Sequence, residues 1–250
     1  MKAIVLSCDK YHPTADHMIR TYQHLWPENP FIFRVPYQKY PNQLKEQHGN
    51  NIELIQTPVD IKDTLLTLIN DLPDNEWIYW CIDDKYPVTL DVKNILGLYN
   101  YLLNITESSI QGVMFCRCRK LLFDINLRTD SSIIGPAGIQ LIERKNYYQF
   151  WIHQFMRVSV LRKLFNEFPD YDFSVKEMDI FTGQQEGITV KTYENNQKMF
   201  VTLNNYASFG ESSCDGRMTR NCYESMITMG IEVSESWEVD EVLNFMGVGD

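Results

Sequence analysis

Six consecutive apolar residues, Trp77–Ile82 (Trp-Ile-Tyr-Trp-Cys-Ile), limit most strongly what this chain can fold into. The run has no alternation of apolar and polar side chains, so a strand built from it must be covered on both faces. Such a strand belongs inside a mostly parallel sheet with helices packed on each side. The run stops at Asp83-Asp84-Lys85, where the chain turns polar.

Apolar runs and helical repeats alternate through the first half of the chain, which predicts the α/β class with a mostly parallel, doubly wound sheet. Strands are predicted over 3–7, 31–35, 52–56 and 112–116, helices over 15–25, 61–72 and 91–104, and a loop over 36–51. The second half is less regular, with strands predicted over 139–143 and 188–193 and helices over 159–168 and 217–230. Without a linker of the Ser/Gly type, we expect one domain, 1–250, with functional halves 1–145 and 146–250.

Composition excludes several classes of protein. The 250 residues contain 23 Lys+Arg against 33 Asp+Glu, a net charge of −10, so the cationic surplus that grips nucleic acid is missing. No apolar stretch approaches the roughly 20 residues of a membrane span, and the four apolar residues near the start are too few for a signal peptide. The six cysteines form no CxxC pair, which favours buried, reduced thiols in a cytoplasmic protein over a zinc site.

The chemistry is expected at the carboxyl ends of the strands, where open α/β sheets bind ligands. The GxGxxG, GxxxxGK[ST], GxSxG and HExxH patterns are missing, which disfavours a nicotinamide site and several other familiar sites. Asp83-Asp84 stands at the exit of the buried strand. Two adjacent carboxylates repel each other unless a cation or hydrogen-bond donors compensate, so the pair indicates either a metal or diphosphate site or a solvated turn.

Several short segments resemble a group of bacterial polysaccharide glycosyltransferases with the GT-A fold. They are Val5-Leu6-Ser7-Cys8-Asp9-Lys10-Tyr11, Leu25-Trp26-Pro27, Trp77–Asp84, Trp151–Arg157 with Leu161–Leu164, and Asn205–Gly210. The resemblance implies transfer of a sugar from a nucleoside diphosphate sugar to a hydroxyl of a glycan or lipid-linked acceptor, in cell-surface glycan synthesis.

The resemblance also implies roles for individual residues. Asp9 and Tyr11 would contact the base and ribose of the nucleotide sugar. Asp83 and Lys85 would also bind the nucleotide sugar. Asp84 would hold Mn²⁺ or Mg²⁺ against the diphosphate. The pattern departs from the usual Asp-x-Asp, so Lys85 is an alternative source of positive charge. For Asp9, a capped loop is the competing interpretation.

His153 and Gln154 follow the aromatic stretch Tyr147–Trp151 and are candidates for binding the acceptor. Amides and imidazoles bond sugar hydroxyls, but clustered aromatic residues are more often part of a core. Both interpretations stay open at this stage.

An inverting transferase needs a carboxylate that takes the proton of the acceptor hydroxyl. Asp172, Glu177 and Asp179 are the candidates, and elimination favours Glu177, with a solvated helix start as the alternative. Asp215 and Arg217 belong to a late loop that is either a lid or a surface turn.

Two other functions compete with glycosyl transfer. One is a non-catalytic domain that binds a nucleotide sugar or glycan. The other is a sugar nucleotidyltransferase, which is disfavoured because the segment Cys8–Asp16 has no glycine for a phosphate-binding loop.

Overall fold

The computed structural model describes residues 1–39, 41, 44–117, 127–135, 138–144, 151–171, 177–178, 197–214 and 216–240. The strands are β1 (Lys2–Leu6), β2 (Ile32–Tyr37), β3 (Ile52–Gln56), β4 (Trp77–Ile82), β5 (Lys85–Leu90), β6 (Ile110–Met114), β7 (Leu127–Ile134), β8 (Gln140–Arg144), β9 (Gln154–Arg157), β10 (Lys198–Thr202), β11 (Ala207–Glu211), β12 (Ser213–Cys214) and β13 (Arg217–Met218). The helices are α1 (His12–Leu25), α2 (Leu44–His48), α3 (Ile61–Leu68), α4 (Val92–Asn104), α5 (Val158–Asn166) and α6 (Arg220–Thr228).

Nine strands form one central sheet in the order β3-β2-β1-β4-β9-β6-β10-β8-β7. The first four strands of this order are parallel, and β6 is parallel to β10. Only β8 and β9 among these strands run against the common direction. The prediction of a mostly parallel sheet is therefore confirmed.

β4 lies at the centre of the molecule, and all six of its residues are buried. Tyr79 and Cys81 pack in one core cluster with side chains of α1 and α4. Ile78, Trp80 and Ile82 pack in a second cluster with side chains of α3 and α5. Helices on both faces explain why the sequence of this strand shows no polar alternation.

β9 is the main departure from the predicted order. The segment Gln154–Arg157 pairs antiparallel with β4 on one side and with β6 on the other. It therefore separates two strands that an uninterrupted parallel sheet would place side by side. Four residues are too few to show a period, so sequence reasoning missed this strand.

A second, two-stranded sheet also went unpredicted. After Asp83-Asp84, β5 begins at once at Lys85 and pairs antiparallel with β11. This small sheet carries Glu211 and Ser212 to the carboxyl end of β4 and so shapes the surroundings of the acidic pair.

The sequence did not predict β7, β10 or β12 either, and the other differences include the ends of elements. The helix predicted over 61–72 ends at Leu68, and the loop predicted over 36–51 contains α2. The helix predicted over 217–230 begins only at Arg220, because Arg217–Met218 forms β13 and the Thr219 hydroxyl caps the helix by accepting a bond from the Cys222 N–H at 3.3 Å. The strand predicted over 188–193 lies outside the described residues.

Candidate functional site

The acidic pair meets the loop after β1 at the carboxyl edge of the sheet. Leu6 of β1 stands opposite Ile82 of β4 in a parallel register, so the residues that follow each strand become neighbours. The Asp83 N–H donates to the Leu6 carbonyl at 3.3 Å. The loop after β1 and the acidic pair therefore lie together, as expected of residues that follow neighbouring parallel strands.

The Asp83 carboxyl is held in a setting that disfavours its charge. Desolvation raises the pKa of Asp83 to about 8, and the neighbouring Asp84 charge adds to the shift, while the Ser7 hydroxyl opposes it. Its Oδ2 atom is buried and has no hydrogen-bond partner among the described residues. A carboxyl in this state gains most from a cation or a donor that a ligand brings.

Lys85 points away from solvent and pairs with a residue far along the chain. Its Nζ donates to Glu211 Oε1 at 2.8 Å and lies 3.7 Å from Asp84 Oδ2. The side chains of Lys85 and Glu211 are only 3% and 8% exposed. We expected Lys85 to face a phosphate; the structure instead places its charge in a buried ion pair beside the acidic pair.

Glu211 is thus part of the site that sequence reasoning missed. It lies 126 positions from Lys85 and reaches it only because β11 pairs with β5. Nothing in the pattern around Glu211 distinguishes it from other acids. Its role depends on tertiary structure.

The late loop is fastened directly to the acidic pair. The Ser212 N–H donates to the Asp84 carbonyl at 2.7 Å, and the Thr219 N–H donates to the Ser212 carbonyl at 3.0 Å. The Thr219 hydroxyl donates to the Glu211 carbonyl at 2.6 Å. This segment therefore lies against the acidic pair.

Asp9 fastens the β1 loop to the loop after β2. Its Oδ1 accepts the Gln38 N–H at 2.8 Å and its Oδ2 accepts the Lys39 N–H at 2.9 Å, while the Asp9 N–H donates to Gln38 Oε1. Both carboxylate oxygens are therefore used in holding backbone. This geometry matches the capped-loop interpretation, and any contact of Asp9 with a nucleotide is additional to it.

His153 and Gln154 lie in the core, not on a sugar-facing surface. Both are 0% exposed. The His153 ring bonds the Ile82 carbonyl at 3.0 Å and the Tyr22 hydroxyl at 2.7 Å, and burial lowers its pKa to about 3. The Gln154 Oε1 accepts from Arg144 Nη2 at 3.2 Å. The expected contact with an acceptor is corrected, since a neutral, fully buried imidazole and amide serve packing here.

The proposed proton acceptors are only partly within the described residues. Glu177 is exposed and stands in a two-residue helical stretch with Met178. Asp172, Asp179 and Asp215 lie outside the described residues. Arg217 is exposed on β13.

Asp83 and Asp84 alone supply too few ligands to hold a divalent cation. No group of three His, Cys, Asp or Glu side chains capable of holding a metal occurs among the residues that the structure describes. The buried Oδ2 of Asp83 and the raised pKa of that carboxyl nevertheless fit a cation whose remaining ligands come from a diphosphate. Asp83 and Asp84 are therefore the described residues that could hold such a cation.

Comparison of the sequence with protein-family models and with curated proteins gave no match. Within the described part of the chain, no helix is long and apolar enough to cross a membrane.

Solved structures do resemble this one. The inositol-1-phosphate CTP transferase of T. maritima has a TM-score of 0.51 at 14% identity, over 93% of this chain and 97% of that chain. Residues 1–349 of S. aureus TarS give 0.50 at 11% identity, over 82% of this chain and 59% of that chain. The galactosyltransferase LgtC, in complex with donor and acceptor sugar analogues, gives 0.41 at 12% identity, over 80% and 73% of the two chains. At such identities the likeness concerns the fold: the chain has the GT-A fold.

Proposed function

We propose that this protein is a glycosyltransferase that moves a sugar from a nucleoside diphosphate sugar to a hydroxyl of a glycan or lipid-linked acceptor, in the synthesis of a cell-surface glycan. The observation that carries the proposal is the position of Asp83-Asp84. The pair follows the central strand β4, lies against the β1 loop, and stands at the sheet edge where α/β folds bind ligands.

The acidic pair gives the proposal its chemistry. Departure of a nucleoside diphosphate leaves negative charge that must be stabilised. Asp84, whose side chain is 40% exposed, would hold Mn²⁺ or Mg²⁺ with Asp83, and the ion would supply charge stabilisation for the diphosphate. Lys85 adds a fixed positive charge 3.7 Å from Asp84 and would tune that carboxylate without touching the phosphates.

Proton removal from the acceptor is assigned to the second half. Glu177 is our leading candidate for the general base because its side chain is exposed to solvent. Asp172 and Asp179 are the alternatives. This assignment depends on inversion of the anomeric centre, since retention would remove the need for such a base.

Nucleotidyl transfer is the second candidate, favoured by the likeness to the CTP transferase of T. maritima. Against it, the first loop has no glycine between Cys8 and Asp16 and contributes a single lysine, Lys10. A phosphate-cradling loop needs close backbone approach and several N–H donors, which glycine permits. A third candidate is binding of a nucleotide sugar or glycan without turnover.

A cytoplasmic location is part of the proposal. The five described cysteines, Cys8, Cys81, Cys116, Cys214 and Cys222, are free thiols. Reducing compartments maintain thiols in this state.

A donor panel separates the three functions. The full-length protein is incubated with UDP-, GDP- and CDP-sugars, and with CTP or UTP plus sugar 1-phosphates, each with Mn²⁺ or Mg²⁺. Release of nucleoside diphosphate supports glycosyl transfer, and release of pyrophosphate supports nucleotidyl transfer. Binding without either release supports the third function.

Asp84→Asn tests the site itself. The change keeps the shape of the side chain and removes its charge, so we expect turnover to fall by about 10²-fold or more, in line with loss of an electrostatic stabiliser. Asp63→Asn, an exposed acid on α3, is the matched control and should leave turnover unchanged. Activity that survives both Asp84→Asn and a chelator would contradict a metal at this position.

A further inference from the structure

One peptide unit connects the central strand to the acidic pair, and both of its polar groups are bonded. Its N–H, which belongs to Asp83, donates to the Leu6 carbonyl of β1 at 3.3 Å. Its carbonyl, which belongs to Ile82, bonds the His153 ring at Nε2 over 3.0 Å. The N–H and C=O of a trans peptide point in opposite directions, so the two bonds together fix the plane of this peptide. They thereby set the direction in which the chain enters Asp83-Asp84.

A side chain, not a strand, supplies the second of these bonds. The antiparallel ladder between β4 and β9 ends at the pair Trp80–Gln154, and His153 is the residue just before β9. A buried carbonyl needs a hydrogen-bond donor, and the His153 ring takes this role where the ladder stops. The imidazole therefore extends the support of β4 to Ile82, the last residue before the acidic pair.

The His153 ring is itself held in one orientation. Its Nδ1 atom lies 2.7 Å from the Tyr22 hydroxyl, which lies 2.6 Å from the Tyr79 hydroxyl. The Tyr22 ring stacks on the imidazole with centroids 5.8 Å apart, and the Phe209 ring meets the imidazole edge to face at 4.9 Å. All four side chains are buried, so the ring has little room to turn.

The bonding partners assign the proton of this ring. The Ile82 carbonyl can only accept, so His153 Nε2 carries the proton and donates. Burial lowers the pKa of His153 to about 3, so the ring is neutral at pH 7 and Nδ1 accepts from the Tyr22 hydroxyl. The Tyr22 oxygen accepts in turn from the Tyr79 hydroxyl. A buried network whose members all have partners specifies a single geometry.

We propose that His153 is a positioning residue, which holds the Ile82–Asp83 peptide so that the carboxylates of Asp83 and Asp84 face the donor diphosphate. This role rests on the proposed glycosyl transfer and acts entirely through the backbone of β4. Misplacing a reacting group by about 1 Å can cost about 10²-fold in rate. Residues that orient metal ligands from behind typically contribute about 10–100-fold. A peptide free to rotate would displace Asp83 directly.

Turnover and nucleotide affinity together separate positioning from packing. The full-length parent, His153→Leu and His153→Gln are assayed for release of nucleoside diphosphate from the donor that the parent uses, and are titrated with that nucleoside diphosphate in EDTA. His153→Leu removes the donor to Ile82, and we expect turnover to fall about 10²-fold with nucleotide affinity nearly unchanged. His153→Gln offers an amide N–H to the same carbonyl and should recover turnover to within about 10-fold of the parent.

Leu102→Ala is the matched control for lost stability. Leu102 is fully buried in the last turn of α4, which leads to the amino end of β6 at the edge opposite the acidic pair. Its truncation should lower Tm and leave turnover unchanged at temperatures where the variant is folded. Tyr22→Phe is a second variant, which keeps the ring, removes the hydroxyl that bonds His153 Nδ1 and should reduce turnover about 10-fold. It decides the matter if His153→Leu does not fold.

Three results would overturn the positioning role and leave the proposed function standing. The first is turnover of Tyr22→Phe, or of folded His153→Leu, equal to that of Leu102→Ala. The second is a nucleotide affinity that falls in parallel with turnover, and the third is a His153→Gln variant as inactive as His153→Leu. If the parent releases nucleoside diphosphate from no donor, the proposed function fails, and the positioning role fails with it.

Discussion

Removing the ammonium group of Lys85 should destabilise the protein strongly. Lys85→Met keeps most of the volume of the side chain but leaves the Glu211 carboxylate, 8% exposed, beside Asp84 without the cation that now lies 2.8 Å away. Removing one partner of a buried ion pair typically costs about 3–5 kcal/mol, because the other charge stays desolvated. At about 2–4 °C per kcal/mol for a domain of this size, Tm should fall by about 6–20 °C.

Urea unfolding at pH 7, followed by circular dichroism, gives the free energies of unfolding. Lys93→Met is the matched control, since Lys93 is exposed on α4. Replacing an exposed lysine should change the free energy of unfolding by only about 0.5 kcal/mol. The double variant Lys85→Met/Glu211→Leu removes both charges and should recover most of the lost stability.

Two results would refute this reasoning. A loss for Lys85→Met as small as that for Lys93→Met would mean that the Lys85–Glu211 pair is not effectively desolvated. Unchanged stability together with a collapse of nucleotide affinity would show that Lys85 is a phosphate ligand and not a buried structural cation.

Three further substitutions test the roles of Asp83, Asp9 and Glu177. The pKa of Asp83 is about 8 in the folded protein against 3.8 in the reference state, so its contribution to stability is greatest below pH 4 and is lost as pH rises toward 8. Asp83→Asn should remove this pH dependence of the free energy of unfolding, which amounts to up to about 1.4 kcal/mol per pH unit. If the free energies of unfolding of the two proteins change in parallel from pH 5 to 8, the prediction is wrong. Asp9→Ala removes two bonds to backbone N–H groups and should lower the free energy of unfolding by about 2 kcal/mol in urea, whereas a midpoint equal to that of the parent would mean that the loop needs no such clamp. Glu177→Gln should reduce turnover by about 10²–10⁴-fold with nucleotide affinity nearly unchanged, and full turnover in this variant with loss in Asp172→Asn or Asp179→Asn would move the general base to another residue.

The sequence alone was enough to predict the parallel half of the sheet. The strands over 52–56 and 77–82 have the predicted bounds. The apolar run of the second ends at the polar Asp83-Asp84, and the first, which is only partly apolar, ends before Pro58. The meeting of the β1 loop with Asp83-Asp84 followed as well, since parallel neighbours must end at the same edge. Local pattern and the direction of the strands carry this information.

Tertiary structure decided what surrounds the acidic pair. β9 separates β4 from β6, and β11 brings Glu211 to Lys85, although the two residues lie 126 positions apart. His153 and Gln154 have polar side chains but are fully buried, because β9 is inserted at the centre of the sheet. Side-chain roles of this kind depend on strand pairing between distant segments, and the energy of that pairing comes from burial and hydrogen bonds that no local stretch of residues contains.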